Sequence, residues 1–319
     1  MSEIVVSVII PTYNGGSLFE EVMDKVLKQK LKDGKQFEVI CIDSQSSDGT
    51  YEYLVKKSQE DNRLKVYQID KKTFQHGRTR NLGASYGTGT YIAFMTQDAM
   101  PYDENWLQEL INPFSLDEEI VGSYSKHLPY DDCDIFEKEL LNQFFLSFGQ
   151  DTTIYYIEDQ EKYDNDDAYR SKLCFYSDNA SAMRRSIWEV IPYPEVEFGE
   201  DQKWARLIIE KGYKKAYAAH SVIYHSHSYN FKQFYARYKE EGKSLYLIYH
   251  VKLVEGYLDL AKKLPYHILN DFKYLLGKYR AKQLKLKDVL YWSYFSIGKN
   301  TARYFGLLDG VKEGVHQDG

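Results

Sequence analysis

The first 125 residues alternate between two hydrophobic rhythms. Residues 4–10 form a near-continuous apolar, β-branched run, as expected of a strand buried on both faces. Pro11 is expected to close it and Asn14-Gly15-Gly16 to turn the chain; Ser17, with Glu20 three residues on, then has the form of a capping box opening a helix. The rhythm repeats. Residues 38–43 (EVICID) read as a strand ending on an acid, Asp48-Gly49-Thr50 opens a second helix, residues 64–69 are a third strand, and a third helix runs from Thr79 onward. Residues 91–95 form a fourth strand, followed by a helix through Trp106 and Leu110 that Asp103 would cap. Such alternation through short connections predicts an α/β fold, a parallel sheet flanked by helices.

The pattern loosens over residues 131–167, and the polar run 158–167 (EDQEKYDNDD) is expected to be a mobile loop. Order returns at 173–185, and a helix over 200–211 ends at Gly212, a usual helix stop. Residues 216–224 form a last strand. Beyond them Phe231, Phe234, Tyr235, Tyr238 and Leu245 recur at helical spacing.

Composition changes this picture in three places. The apolar run at the N-terminus is too short to span a bilayer and lacks a basic n-region, so it reads as a strand and not a signal peptide. Cys41, Cys133 and Cys174 are few and widely spaced, which gives no disulfide or zinc framework and fits a reducing cytoplasm. Charge is uneven: from Tyr229 onward 16 Lys and Arg outnumber 9 Asp and Glu, whereas the overall net charge is −6. An acidic body with a basic, aromatic tail points to a separate partner for the tail.

Acids sit where ligands gather. Asp43 and Asp98 follow the second and fourth strands, at the edge where open α/β sheets bind their ligands. Asp43 could accept the imide N–H of a pyrimidine base or cap a turn. Arg80 and Asn81 follow Gly77 near a helix start, a setting suited to an anion, although Arg80 could equally hold its helix to the sheet through a salt bridge. Glu200-Asp201 opens a helix, where carboxylates are stabilised as anions or simply cap the end.

Taken together, Ser7-Val8-Ile9-Ile10-Pro11-Thr12-Tyr13-Asn14-Gly15-Gly16, Ile42-Asp43-Ser44-Gln45-Ser46-Ser47-Asp48-Gly49-Thr50 and Arg80-Asn81-Leu82-Gly83 resemble family-2 inverting glycosyltransferases of the GT-A fold. Phe74-x-His76-Gly77-x-Thr79-Arg80-Asn81-x-Gly83-Ala84 with Thr96-Gln97-Asp98-Ala99 is similar to the bacterial L-rhamnosyltransferase branch. The resemblance covers about residues 4–228. It implies a GT-A (Rossmann-like), mixed but mostly parallel sheet as a catalytic domain over 1–228, with a nucleotide-sugar half at about 1–125 and an acceptor half at about 126–228. Residues 229–319 would be a helical extension.

The same resemblance implies roles. Pro11, Thr12, Tyr13, Asn14, Asp43, Ser44, Arg80, Asn81, Gln97 and Asp98 would bind the nucleotide-sugar donor, and His76, Asn179, Ala180 and Trp106 would line the acceptor or sugar pocket. Asp201, assisted by Glu200, would be the general base. Asp98 and His225, with His227 as the alternative histidine, would hold Mg²⁺ or Mn²⁺. Thr96 stands where the family has the first acid of its metal-binding pair, which weakens the metal site or shifts it toward the histidine.

The implied activity is inverting transfer of a sugar, L-rhamnose from dTDP-β-L-rhamnose, onto a hydroxyl of a lipid-linked cell-surface polysaccharide precursor. The alternatives are a UDP-sugar-dependent enzyme of the same family, a nucleotidyltransferase or an inactive carbohydrate-binding scaffold. No Lys or Arg stands in the loop Pro11–Gly16, which counts against nucleotidyl transfer. Residues 262–287 carry eight Lys or Arg and one acid, Asp271, among aromatics. They suggest an inner-leaflet contact of a cytoplasmic, peripheral protein, with a homo-oligomer interface as the competing use. Nucleic acid is not expected as a partner of so acidic a body.

Overall fold

The computed structural model describes residues 3–196 and 199–318. The chain divides into two compact units, Met1–Ser226 and His227–Gly319.

Unit 1 is built on a mixed sheet whose nine strands are β1 (Ile4–Thr12), β2 (Gln36–Asp43), β3 (Leu64–Gln68), β4 (Tyr91–Met95), β5 (Met100–Pro101), β6 (Ile120–Leu128), β7 (Thr153–Tyr155), β8 (Ala180–Arg184) and β9 (Lys214–Tyr224). The order is β3-β2-β1-β4-β8-β6-β9-β5, with β7 also on β9. Four strands on one side, β3-β2-β1-β4, are mutually parallel. β8 runs antiparallel to both β4 and β6, and β9 is parallel to β6. The apolar runs in β1, β2 and β4 are buried almost throughout and pack on the helices Gly16–Leu27 and Trp106–Ile111. β5 and β7 are antiparallel to β9, so three strands run against the other six; the sheet is mixed, as the family resemblance implies, where the alternating pattern alone predicts a parallel one.

Several local expectations are corrected. Pro11 does not close β1; the strand pairs on through Pro11↔Ile42 and Thr12↔Asp43. No capping box forms at Ser17. Gly15 occupies the cap position, and the N–H groups of Gly15 and Gly16 donate to Thr50 Oγ1 (2.9 Å) and Asp48 Oδ2 (3.0 Å) of the loop after β2, so the helix end is satisfied by a distant segment. Asp103 accepts from Asn105 N and leaves the following helix without a side-chain cap. The polar run 158–167 is not a loop: it lies in the short helices Gln160–Asn165 and Asp167–Cys174, each capped by an aspartate, Asp159 and Asp166.

Unit 2 consists of the helices Phe231–Tyr249, Tyr257–Arg280 and Leu286–Asp318 around Phe234, Tyr238, Val254, Leu260, Tyr304, Leu307 and Leu308. Here the capping box is real: Asn230 and Gln233 satisfy each other's backbone N–H groups. On the last helix Gly306, Gly310 and Gly314 recur every fourth residue against the first. A Cβ on Gly310 would collide with the Lys239 carbonyl oxygen, and one on Gly306 would lie 2.6 Å from that of Tyr235. Beside this seam Glu313 takes ion pairs from Lys239 (2.7 Å) and Lys243 (3.2 Å).

Candidate functional site

The carboxyl ends of β1, β2 and β4 form the first station. Gln97 clasps the loop after β1: its Oε1 accepts from Tyr13 N at 2.8 Å and its Nε2 donates to Tyr13 O at 3.1 Å. Asn14 takes a left-handed conformation (φ 48°), donates its N–H to Ser46 Oγ and accepts from Ser47 N, which ties the β1 and β2 exits together. The Tyr13 ring is partly exposed, with the Lys71 ammonium 4.1 Å from its centroid. Asp43 is fully buried and its carboxylate accepts from Ser46 and from Gln68 Nε2 (3.0 Å), so it organises the turn. Along the same edge the buried hydroxyls of Thr12, Ser44 and Thr96 have no partner among the described residues. Buried hydroxyls are ordinarily bonded, so this row of them is the polar lining expected of a ligand edge.

The second station joins β4 to the end of β9. His225 follows β9 directly, and its N–H donates to Leu128 O. Its Nε2 lies 3.6 Å from Asp98 Oδ1, and ligand atoms of Asp98, His225 and His227 all fall within 4.8 Å of one another. Asn179 meets His225 Nδ1 at 3.1 Å. An asparagine amide can present either atom there; its oxygen toward an Nδ1–H leaves Nε2 with a lone pair aimed at Asp98. One carboxylate and two imidazoles make a donor set that suits Mn²⁺ better than Mg²⁺. Behind it His127 is buried 5.6 Å from the His225 ring, and burial, with a contribution from His225, holds its pKa well below the usual histidine value.

The third station surrounds Asp201. Gly199, in a left-handed conformation (φ 76°) that favours glycine, caps the helix Glu200–Glu210 and sets both acids in its first turn. Asp201 accepts from Gln202 N (2.7 Å) and Asp178 N (3.2 Å). Arg80, buried on the helix His76–Tyr86, pairs with Glu200 (2.5 Å) and Asp178 (3.2 Å). Asp178 also accepts from Ser181 Oγ and Tyr193 Oη. Two of the three carboxylates, Glu200 and Asp178, thus share one guanidinium. Burial, then the charges of Asp178 and Glu200, push the Asp201 pKa well above the usual aspartate range. His76 sits alongside, its Nδ1 3.4 Å from Arg80, with its pKa lowered to about 4 by burial and by that cation.

The structure therefore brings Asp98 and His225 together and gathers Arg80, Glu200 and Asp201, but it redistributes roles. Arg80 is enclosed by carboxylates and does not present its guanidinium to a diphosphate; the salt-bridge alternative holds. Asn81 is also internal: its Nδ2 donates to Tyr193 O and its Oδ1 accepts from Trp188 Nε1 and Tyr193 N. Trp106 is fully buried with its Nε1 on Ser125 Oγ, so it is a core residue and not a pocket wall. Ala180 is likewise buried, paired with Met95 in the β4–β8 ladder. Asp178, next to the expected pocket residues Asn179 and Ala180, is a functional residue that the sequence does not single out; its place in the run Asp178-Asn179-Ala180-Ser181 is the available signal.

The chain is similar to known proteins in sequence and in fold. The model of the family described as "Glycosyl transferase family 2" matches residues 7–191. The O-antigen chain rhamnosyltransferase RfbN of Salmonella typhimurium is 33% identical over 240 residues, covering 74% of this chain and 71% of the relative. The O-antigen chain rhamnosyltransferase WbaN of Salmonella anatum is 31% identical over 74% of this chain and 70% of its own length. Among solved structures, the mannosyltransferase PcManGT from Pyrobaculum calidifontis, in complex with GDP-Man and Mn²⁺, superposes with a TM-score of 0.62 at 16% identity, covering 100% of this chain and 89% of that one.

Proposed function

Because the chain belongs to glycosyl transferase family 2, we propose that it transfers L-rhamnose from dTDP-β-L-rhamnose to a hydroxyl of a growing, lipid-linked cell-surface polysaccharide. The observation that carries this reading is the conjunction of a carboxylate kept basic, Asp201, with the Asp98–His225 pair in one unit. Asp201 takes the proton of the acceptor hydroxyl. The freed oxygen attacks the anomeric carbon from the face opposite the diphosphate, and the carbon–oxygen bond to the diphosphate breaks with its electron pair leaving on the nucleoside diphosphate. A β-linked donor so becomes an α-linked product. Tyr13, Asn14 and the row of Thr12, Ser44 and Thr96 hydroxyls receive the donor, with Gln97 holding the loop in place. Asp98, His225 and His227 would hold a divalent cation, Mn²⁺ in preference to Mg²⁺, which when bound neutralises charge on the leaving diphosphate.

The test is acceptor-dependent release of nucleoside diphosphate from dTDP-L-rhamnose, UDP-glucose and UDP-N-acetylglucosamine with Mn²⁺ present. Turnover of dTDP-L-rhamnose, lost in Asp201→Asn, is expected. Preferential turnover of a UDP-sugar overturns the donor assignment, and near wild-type turnover by Asp201→Asn overturns the base.

The acceptor's lipid links this activity to the inner face of the cell membrane, and unit 2 supports that placement. On the helix Tyr257–Arg280, Lys262, Tyr266, Leu269, Lys273, Leu276 and Arg280 are exposed at steps of three and four residues, cationic and apolar with no acid among them. The helix's acids are engaged elsewhere, Asp259 by Lys263 and Asp271 by Ser296 and Asn300. Such a face fits an anionic interface, whereas a second copy on a twofold axis would bring the same cations against one another. Among the described residues no helix is long and apolar enough to cross a membrane.

A further inference from the structure

The cluster around Asp201 holds one cation and three acids, and the way they are paired is not symmetrical. Arg80 reaches Glu200 through NH1 and Asp178 through Nε. Asp201 has no ion pair among the described residues; its oxygens take only the backbone N–H groups of Gln202 and Asp178. We infer that Arg80 and Asp178 are positioning residues for the base: Arg80 grips Glu200 and Asp178 so that Asp201 alone of the three acids is left without an ion pair, and Asp178 fixes the Asp201 carboxylate through its own backbone N–H.

The arrangement solves a chemical problem. A buried carboxylate beside a guanidinium is a poor base, because the cation stabilises its anionic form. Three clustered carboxylates, two of them buried, would be too costly to hold together without a guanidinium. Placing the cation between two of the acids answers both. Arg80 makes the cluster tolerable, and the charges of Glu200 and Asp178 face Asp201 from its own helix and from the segment entering β8. The other titratable groups around the cluster are Tyr193 and Tyr176, both buried and neutral, and His76, held neutral beside Arg80. The sequence neighbours of Arg80 suggest an anion site; its contacts make it internal scaffolding.

This inference rests on Asp201 as the base, and its test separates the two. The protein is labelled with ¹³C at aspartate side-chain carboxyls, and the Asp201 resonance, identified by its loss in Asp201→Asn, is titrated in wild type, Asp178→Asn and Glu200→Gln. Both substitutions keep side-chain shape and remove one negative charge facing Asp201, so the midpoint is expected to move to lower pH in each. A midpoint unmoved in both variants overturns the inference, whether or not any donor is turned over. In a second measurement Arg80→Lys, whose ammonium is a point charge and cannot fork to two carboxylates, is expected to lower kcat by roughly tenfold or more with the Kd for dTDP-L-rhamnose unchanged. A weakened donor Kd with kcat preserved would return Arg80 to a donor-binding role and overturn the assignment.

Discussion

Asp201→Asn should stabilise unit 1 while removing its activity. Asp201 is a half-buried carboxylate flanked by two like charges, with no ion pair among the described residues. Leaving such a group charged costs about 3 kcal/mol, toward the upper end for an uncompensated polar group. Asparagine removes that cost. It also loses one acceptor, since its amide can take only one of the two backbone N–H groups that now point at Asp201, a penalty of about 1 kcal/mol. The net gain is about 2 kcal/mol, and at 2–4 °C per kcal/mol for a unit of this size the Tm should rise by about 4–8 °C. The sign with pH is fixed. A carboxyl whose folded pKa is raised binds more protons in the folded than in the unfolded chain, so stability falls as pH rises through that window. Below the usual aspartate range both states are protonated and the cost is absent. The Tm advantage of Asp201→Asn should therefore be largest near pH 8 and shrink as pH falls toward about 4. Differential scanning calorimetry across that range is the assay. A variant no more stable than wild type at pH 8, or an advantage that does not depend on pH, would falsify the description of Asp201 as an unpaired, strained acid.

Three further outcomes are expected. Mn²⁺ binding measured by electron paramagnetic resonance should be lost or nearly so in Asp98→Asn, and weakened about 10–100-fold in Asn179→Ala, whose amide orients His225; unchanged affinity in both would exclude this pair as the cation site. Gly310→Ala should destabilise unit 2 by about 1–3 kcal/mol because its methyl meets the Lys239 carbonyl, whereas Gly277→Ala, with open space around it on the helix Tyr257–Arg280, should stabilise by about 0.5–1 kcal/mol. Equal effects in urea melts would contradict the glycine seam. Replacing Lys262, Lys273 and Arg280 together by Glu should reduce sedimentation with phosphatidylserine-containing vesicles by tenfold or more at low salt, at about 1 kcal/mol per cation near the surface, and leave donor affinity unchanged; equal sedimentation would refute the lipid contact, and a change in oligomeric state alone would favour the second-copy interface.

How much of this was legible in the chain depended on the range of the interaction. The strands β1, β2 and β4 declare themselves because burial on both faces writes a continuous apolar run, and the acids at their ends mark the ligand edge. The Asp98–His225 proximity was reachable only through resemblance, since 127 residues separate them and no local periodicity records their meeting. Arg80 shows the opposite failure. A cation beside a glycine at a helix start looks the same whether it faces an anionic ligand or a carboxylate far along the chain, and only the folded position of Glu200 decides. Trp106 was misread for a related reason: an aromatic at helical spacing does not reveal whether its face meets solvent or β6. The helices within 158–167 were hidden by charge, because their stability comes from aspartate caps and from Tyr163 packing inward, not from an apolar stripe.

The reversal of β8 has a mechanical consequence. Because that strand runs against its neighbours, the residues leading into it, Asp178 and Asn179, arrive at the edge that the parallel strands reach only as they end. Asp178 and Asn179 form the turn before β8, where the Ala180 N–H donates to Ser177 O. The Asp178 N–H donates to Asp201, and the Asn179 amide meets His225 while its carbonyl takes Thr96 N. The residues that contact Asp201 and His225 are thus joined by a single peptide unit, about 3.8 Å between α-carbons. On the proposed reading, a shift of either contact is passed to the other through this unit, and an inserted residue between 178 and 179 would disturb the Asp201 and His225 contacts together without touching a reacting atom.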